Sequence, residues 1–99
     1  MNLQKHIHVR LKGKKLAELN QSIHERDNDC CVLCDQYVDP GVKFHHQPQG
    51  ADKQDRIEFG VLLCGNCHHE IHFGDMVRLL KRQVEDYLRN RYPEAWKDE

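Results

Sequence analysis

Cysteines and histidines hold most of the chemistry available to this chain. Cys31-Val32-Leu33-Cys34 and Cys64-Gly65-Asn66-Cys67 form two C-x-x-C pairs. A two-residue gap lets both sulfurs of a pair face one ion, and two such knuckles supply the four thiolates of a tetrahedral structural zinc site. Gly65 and Asn66 tolerate the positive φ angles of a knuckle turn. A redox-active pair or buried free thiols would account for one C-x-x-C but not for two. Cys30 is left over, because only Cys31 keeps the two-residue gap to Cys34, and it reads as a packed or exposed thiol.

The histidines form a second group. His45 and His46 lie between the cysteine pairs, while His68 follows Cys67 directly and His72 stands four residues on. Residues four apart share a helix face, so His68 and His72 can point at one ion or one phosphate. Imidazole titrates near neutral pH, which suits it both as a metal ligand and as a base that takes a proton from water. The run His69-Glu70-Ile71-His72 is not a zinc-protease motif, which needs two residues between its Glu and second His; position 73 is Phe. His6, His8 and His24 have no partner at ligand spacing and read as surface residues.

A chain of 99 residues reads as one domain, 1–99, and buries too little apolar surface to be stable without a staple. Zinc would contribute roughly 10 kcal/mol or more. With an odd number of cysteines and no apolar leader, a secreted disulfide framework has little support, and a reducing cytoplasmic setting is expected. The longest apolar runs, such as Val61 to Leu63, are too short to cross a bilayer, so no membrane partner is expected. Net charge is −1, but its distribution is uneven. Residues 1–15 form a basic arm with Lys5, Arg10, Lys12, Lys14 and Lys15 and no acid, whereas 18–39 is mostly acidic.

These residues need elements to position them. Leu16, Leu19 and Ile23 recur at helical spacing and predict an amphipathic helix over 14–27. Val32, Tyr37, Val38, Val42 and Phe44, broken by Asp39-Pro40-Gly41, suggest a short hairpin running toward His45 and His46. The polar stretch 47–55 reads as a loop, and 59–63 as a strand or extended segment ahead of Cys64. A short helix over 68–73 should stop at Gly74, with Asp75 as N-cap of a closing helix over 76–91. That helix buries Met76, Leu80, Val84, Tyr87 and Leu88 and ends before Pro93.

In the order of its motifs the chain resembles the HNH nucleases, in particular their zinc-containing four-cysteine members. The resemblance runs from about Ile23 to Phe73. It is carried by Glu25-Arg26-Asp27 ahead of the first cysteine pair, by Phe44-His45-His46 and the polar loop after it, and by Leu62-Leu63-Cys64-x-x-Cys67-His68 with His72. It implies an α+β fold: a small ββα-metal (HNH, or His-Me finger) core over 16–74, stapled by zinc on Cys31, Cys34, Cys64 and Cys67. An N-terminal helix and a C-terminal helix, 75–92, would flank that core. By the same resemblance His46 is the general base, His45 and His68 hold a catalytic divalent ion, and His72 is a further ligand or a phosphate contact. Mg2+ or Mn2+ is the expected ion, with Ni2+ or Zn2+ also acceptable to nitrogen ligands. One position departs from the pattern: Phe59 stands where the family has the Asn that braces the loop of the base histidine.

The implied activity is endonuclease hydrolysis of DNA phosphodiester bonds, in duplex or branched DNA, by a bacterial or phage protein. The alternative, raised by Phe59, is a non-catalytic zinc-stapled DNA-binding or adaptor module. Lys12, Lys14 and Lys15 are the expected backbone contacts if the arm binds phosphate; otherwise the arm is a solvated terminus. Arg78, Lys81, Arg82 and Arg89 read as a solvated helix face diluted by Glu85 and Asp86, and Tyr92 and Trp96 as packing anchors.

Overall fold

A computed structural model describes residues 9–97. Helix α1 spans Gly13–Arg26 and presents the predicted apolar face: Ile23 is fully buried, with Leu16 and Leu19 packed beside it. The chain leaves α1 through Asn28 and Asp29 at φ 57° and 53°, a left-handed turn that short polar side chains tolerate. Asp29 N–H closes that turn on His24 C=O at 2.9 Å.

The predicted hairpin over 32–44 does not form. Its only ladder contact is an isolated antiparallel bridge between Cys30 and Tyr37. The alternation there gives no continuous buried face, since Val42 is exposed between buried Val38 and Phe44, and turn bonds take its backbone groups instead, as from Asp35 N–H to Cys31 C=O at 2.8 Å. The sheet lies further along and is small. Strand β1, His45–His46, pairs antiparallel with β2, Gly60–Val61, in the register His45 to Val61 and His46 to Gly60. The expected strand over 59–63 is thus cut to two residues, because Ile57–Phe59 winds into a 3-10 turn and 62–64 runs on unpaired into the second cysteine knuckle.

Helix α2, Gly65–Phe73, begins earlier than the 68–73 prediction because Cys64 acts as its N-cap, its sulfur accepting the Cys67 N–H at 3.4 Å. Helix α3, Val77–Arg91, packs on α2 and buries Val84 and Leu88. Asp75 does not cap it; the N-cap is Met76, and no side chain makes the cap hydrogen bond. Tyr92 and Trp96 fold back as anchors, with Trp96 Nε1–H donating to Glu58 C=O at 2.7 Å.

One core joins these pieces: Ile23, Val38, Phe44, Val61, Leu62, Leu63, Ile71, Val84 and Leu88, with Cys31 and Cys64. A buried ion pair at its edge aligns β2. Arg26 forks onto Asp27 at 2.7 and 2.9 Å and also donates to the carbonyls of Ile57 and Gly60 at 2.7 and 2.6 Å. Asp27 accepts from Leu62 N–H at 3.0 Å and from the Tyr87 hydroxyl. The end of α1, the residue that follows β2, and α3 therefore meet on one carboxylate. Such a pair is expensive to desolvate and is tolerated because its donors and acceptors are satisfied.

Candidate metal centres and the histidine cleft

The four cysteines of the C-x-x-C pairs converge. Their sulfurs all lie within 4.8 Å of one another, and Cys34 and Cys64, 30 residues apart in sequence, approach to 3.5 Å. Ligands at about 2.3 Å around a tetrahedral zinc stand about 3.8 Å apart, so the cluster fits such an ion. All are free thiols, not disulfides. Burial, and then the neighbouring thiols, push the Cys67 thiol well above its ordinary range. Four thiolates this close need a cation between them, and four clustered sulfurs suggest a structural metal such as zinc. Cys30 lies outside the cluster, as its register requires. Val32 N–H donates to Leu62 C=O at 3.0 Å and holds the two knuckles side by side.

A second cluster unites His45 with His68 and His72, each offering one ring nitrogen within 4.8 Å of the others. His68 and His72 are one turn apart on α2, and their Nε2 atoms stand 3.2 Å apart. Ligands at about 2.0–2.1 Å around one ion fall at roughly this spacing. His72 therefore sits with His45 and His68 rather than apart from them. His45 enters from β1 and is buried, while His68 and His72 are open to solvent.

The orientation of His45 follows from its partners. Gln47 Nε2 donates to Glu85 of α3 at 2.8 Å, which turns its carbonyl oxygen toward His45 Nε2, 3.1 Å away. His45 then donates from Nε2, and Nδ1 is the ring's acceptor nitrogen, with the Gln49 amide nitrogen 3.4 Å from it. Burial, reinforced by the other histidines against the opposing Gln47 bond, lowers the His45 pKa to about 4. The ring is neutral at physiological pH, the form a ligand needs. Burial and then His72 lower His68 as well. Gln49 completes the cluster, with its amide nitrogen 3.4 Å from His45 Nδ1 and 3.4 Å from His72 Nε2, either of which can accept from it.

His46 does not join that cluster. Adjacent strand residues face opposite ways, and its Nε2 meets Asp55 Oδ1 at 2.7 Å while its ring packs tilted against Phe44, 4.6 Å between centroids. His45, His46, His68 and His72 nevertheless line one cleft of about 720 Å3, together with Arg10, Lys43 and Lys53. Lys12, Lys14 and Lys15 are exposed at the start of α1 and do not line it.

Sequence reasoning missed several participants. Asp55, Gln47 and Gln49 lie in the polar stretch read as a loop, and nothing in their spacing distinguishes them from solvated residues. His24 is a correction: it is 3% exposed, not a surface residue, and both ring nitrogens are engaged, Nδ1 with Asp29 and Nε2 with Val42 C=O, each at 2.8 Å. It lies beside Ile23 at the buried edge of α1, under the 39–42 turn. His6 and His8, and Lys5 of the basic arm, lie outside the described residues. Phe59 packs its ring 5.3 Å from Trp96. No helix among the described residues is long and apolar enough to cross a membrane.

No protein-family model matches the chain, and searches of curated proteins and of solved structures return no significant match. The chain is an α+β protein with a four-cysteine cluster and, where α2 meets β1, a three-histidine cluster in a cleft that Arg10, Lys43 and Lys53 also line.

Proposed function

We propose that this chain is a metal-dependent DNA endonuclease with an HNH-type ββα-metal core, stapled by zinc on Cys31, Cys34, Cys64 and Cys67. One observation carries the reading. His45, His68 and His72 gather at ligand spacing in the same cleft as His46, a fourth histidine engaged with a carboxylate instead. That division matches a ligand set beside a separate base.

In this reading His45, His68 and His72 hold one divalent cation, Mg2+ or Mn2+ by the demands of phosphoryl chemistry, although the nitrogen donors also suit Ni2+ or Zn2+. A cation so held would supply charge stabilisation to the phosphodiester as it is cleaved. His46 takes the proton of the attacking water. Arg10, Lys43 and Lys53 attract and hold the phosphate backbone of duplex or branched DNA, giving affinity that falls with salt. Gln47 and Glu85 keep His45 in the tautomer whose lone pair is on Nδ1.

A second reading, a DNA-binding or adaptor module of the same fold without cleavage, is favoured by one feature. Phe59 is committed to Trp96 and offers no amide to the His46 segment. Supercoiled-plasmid nicking with Mg2+ or Mn2+, beside His46→Ala and His68→Ala variants, separates the two. Metal-dependent nicking lost in both variants is the expected outcome. DNA retention without nicking in the wild type would establish the adaptor, and equal nicking in all three proteins would remove the histidines from the mechanism.

A further inference from the structure

The Asp55 side chain lines the cleft, accepts three hydrogen bonds and has no role in the account above. It is 3% exposed. Its Oδ1 accepts from His46 Nε2–H at 2.7 Å, while its Oδ2 accepts from Leu11 N–H at 2.7 Å and Arg10 Nε–H at 3.1 Å. Its own N–H donates to Val9 C=O at 2.7 Å. Three donors converge on two oxygens, an arrangement only a carboxylate satisfies fully, since an amide would set an NH2 against one of them.

We propose that Asp55 is the positioning residue for His46: it fixes the ring's orientation and tautomer, and ties the 9–11 segment into the site. The inference rests on the nuclease reading, in which His46 is the base. Because Nε2–H is committed to Asp55, Nδ1 is the ring nitrogen left to take a proton from water. Phe44, tilted at 49° against the ring, limits its rotation. The same carboxylate holds Arg10 by its Nε, leaving the outer guanidinium nitrogens for phosphate in the cleft that Arg10 lines. Asp55 thus places a base and a phosphate-holding cation with one group. It acts from 47–55, the stretch that follows His46, and this is the bracing for which position 59 has no suitable side chain.

Asp55→Asn tests this, because the variant must choose. Leu11 N–H and Arg10 together claim the amide oxygen, which turns the NH2 toward His46 Nε2 and drives the ring to the Nδ1–H tautomer. Two readouts follow. In nicking assays kcat should fall on the order of 10²–10⁴-fold, as for other bases held in the wrong tautomer, while KM stays within about threefold because phosphate contacts persist. In 15N-histidine spectra at fixed pH, His46 should be Nε2–H in the wild type and Nδ1–H in Asp55→Asn.

A purely structural Asp55 would lower the melting temperature and leave kcat and tautomer unchanged; that outcome overturns the proposal. If the variant does not fold, judged by zinc content and circular dichroism, the wild-type spectrum still decides: an Nδ1–H tautomer of His46 there overturns it. A wild-type protein that does not nick DNA removes the nuclease reading and this inference together. A wild type that nicks beside an equally fast Asp55→Asn removes this inference alone.

Discussion

Replacing Gly60 by alanine should loosen the strand pair that presents the histidines, and the size of the effect follows from the distances around it. Gly60 opens β2 opposite His46. A Cβ there would stand 2.5 and 2.8 Å from two ring carbons of Phe44 and 2.9 Å from Ile23 Cδ1. Carbon atoms pack at about 3.5–4.0 Å, so the Phe44 ring must retreat by about 1 Å. It has little room to do so: Phe44 and Ile23 are both buried, and the His46 ring also packs on Phe44. Overpacking of this kind costs about 1–3 kcal/mol. The backbone at Gly60, φ −147° and ψ 145°, suits alanine, so the stiffer unfolded chain returns about 0.4–1 kcal/mol. The net loss should be about 1–2 kcal/mol, or roughly 4–16 °C in melting temperature for a domain of this size. Thermal melts of zinc-loaded Gly60→Ala protein measure it, and Phe44→Leu in the same background should recover part of the loss by vacating the ring's space. A Gly60→Ala protein that melts within a degree of wild type would refute the close packing of β2 on Phe44.

Other perturbations separate the two candidate metal centres and the core. Cys34→Ser should lose the tightly held zinc and with it several kcal/mol of stability, whereas Cys30→Ser should keep its full zinc content on dialysis; equal retention in both would refute the four-cysteine site. Gln47→Leu, by releasing His45 from Glu85, should weaken Mn2+ or Co2+ binding at the histidines about 10–100-fold, read by titration of the zinc-loaded protein, and an unchanged affinity would exclude the relay. Alkaline stability should report on Tyr87, whose pKa is raised to about 12 by burial and then by the hydrogen bond and charge of Asp27. A raised folded-state value gives stability that is complete below the unfolded value of about 10 and disappears between there and about 12, because the unfolded state releases the proton first. The loss, reduced by partial solvent exposure, should be about 1–2 kcal/mol. It should be absent in Tyr87→Phe, and identical alkaline profiles for the two proteins would exclude the linkage.

Helices α1 and α3 were legible because their apolar spacing is a local, repeated signal: Leu16, Leu19 and Ile23 in one, Val84 and Leu88 in the other. The cysteine cluster was legible for a different reason, since ligand geometry dictates the C-x-x-C gap directly. The histidine pairing on α2 followed from its four-residue step. The strands were not legible in extent. Two residues are too few to show alternation, and the apparent alternation over 32–44 belongs to a knuckle and turns whose side chains do not share a face. Asp55, Gln47 and Glu85 were invisible because their meaning lies in partners far along the chain: Arg10 for one, and a contact between loop and α3 for the others. His24 misled for a similar reason, as a polar residue whose burial is set by the turn at Val42, not by its own helix. Asp75 had the right chemistry for a cap, one residue too early.

The cysteine cluster also has a consequence for connectivity. Cys34 and Cys64 meet across 30 residues, so a metal on the four sulfurs closes a ring of chain with His45, His46 and Asp55 inside it. The exposed turn Gly50–Asp52 lies on that ring. A single cut there would open the covalent chain and leave two pieces, each carrying one C-x-x-C pair and its own share of the cleft histidines. The metal would remain their common node. Such a nicked protein should migrate as one species until a chelator is added, and the two pieces, made separately, should find each other only when zinc is supplied.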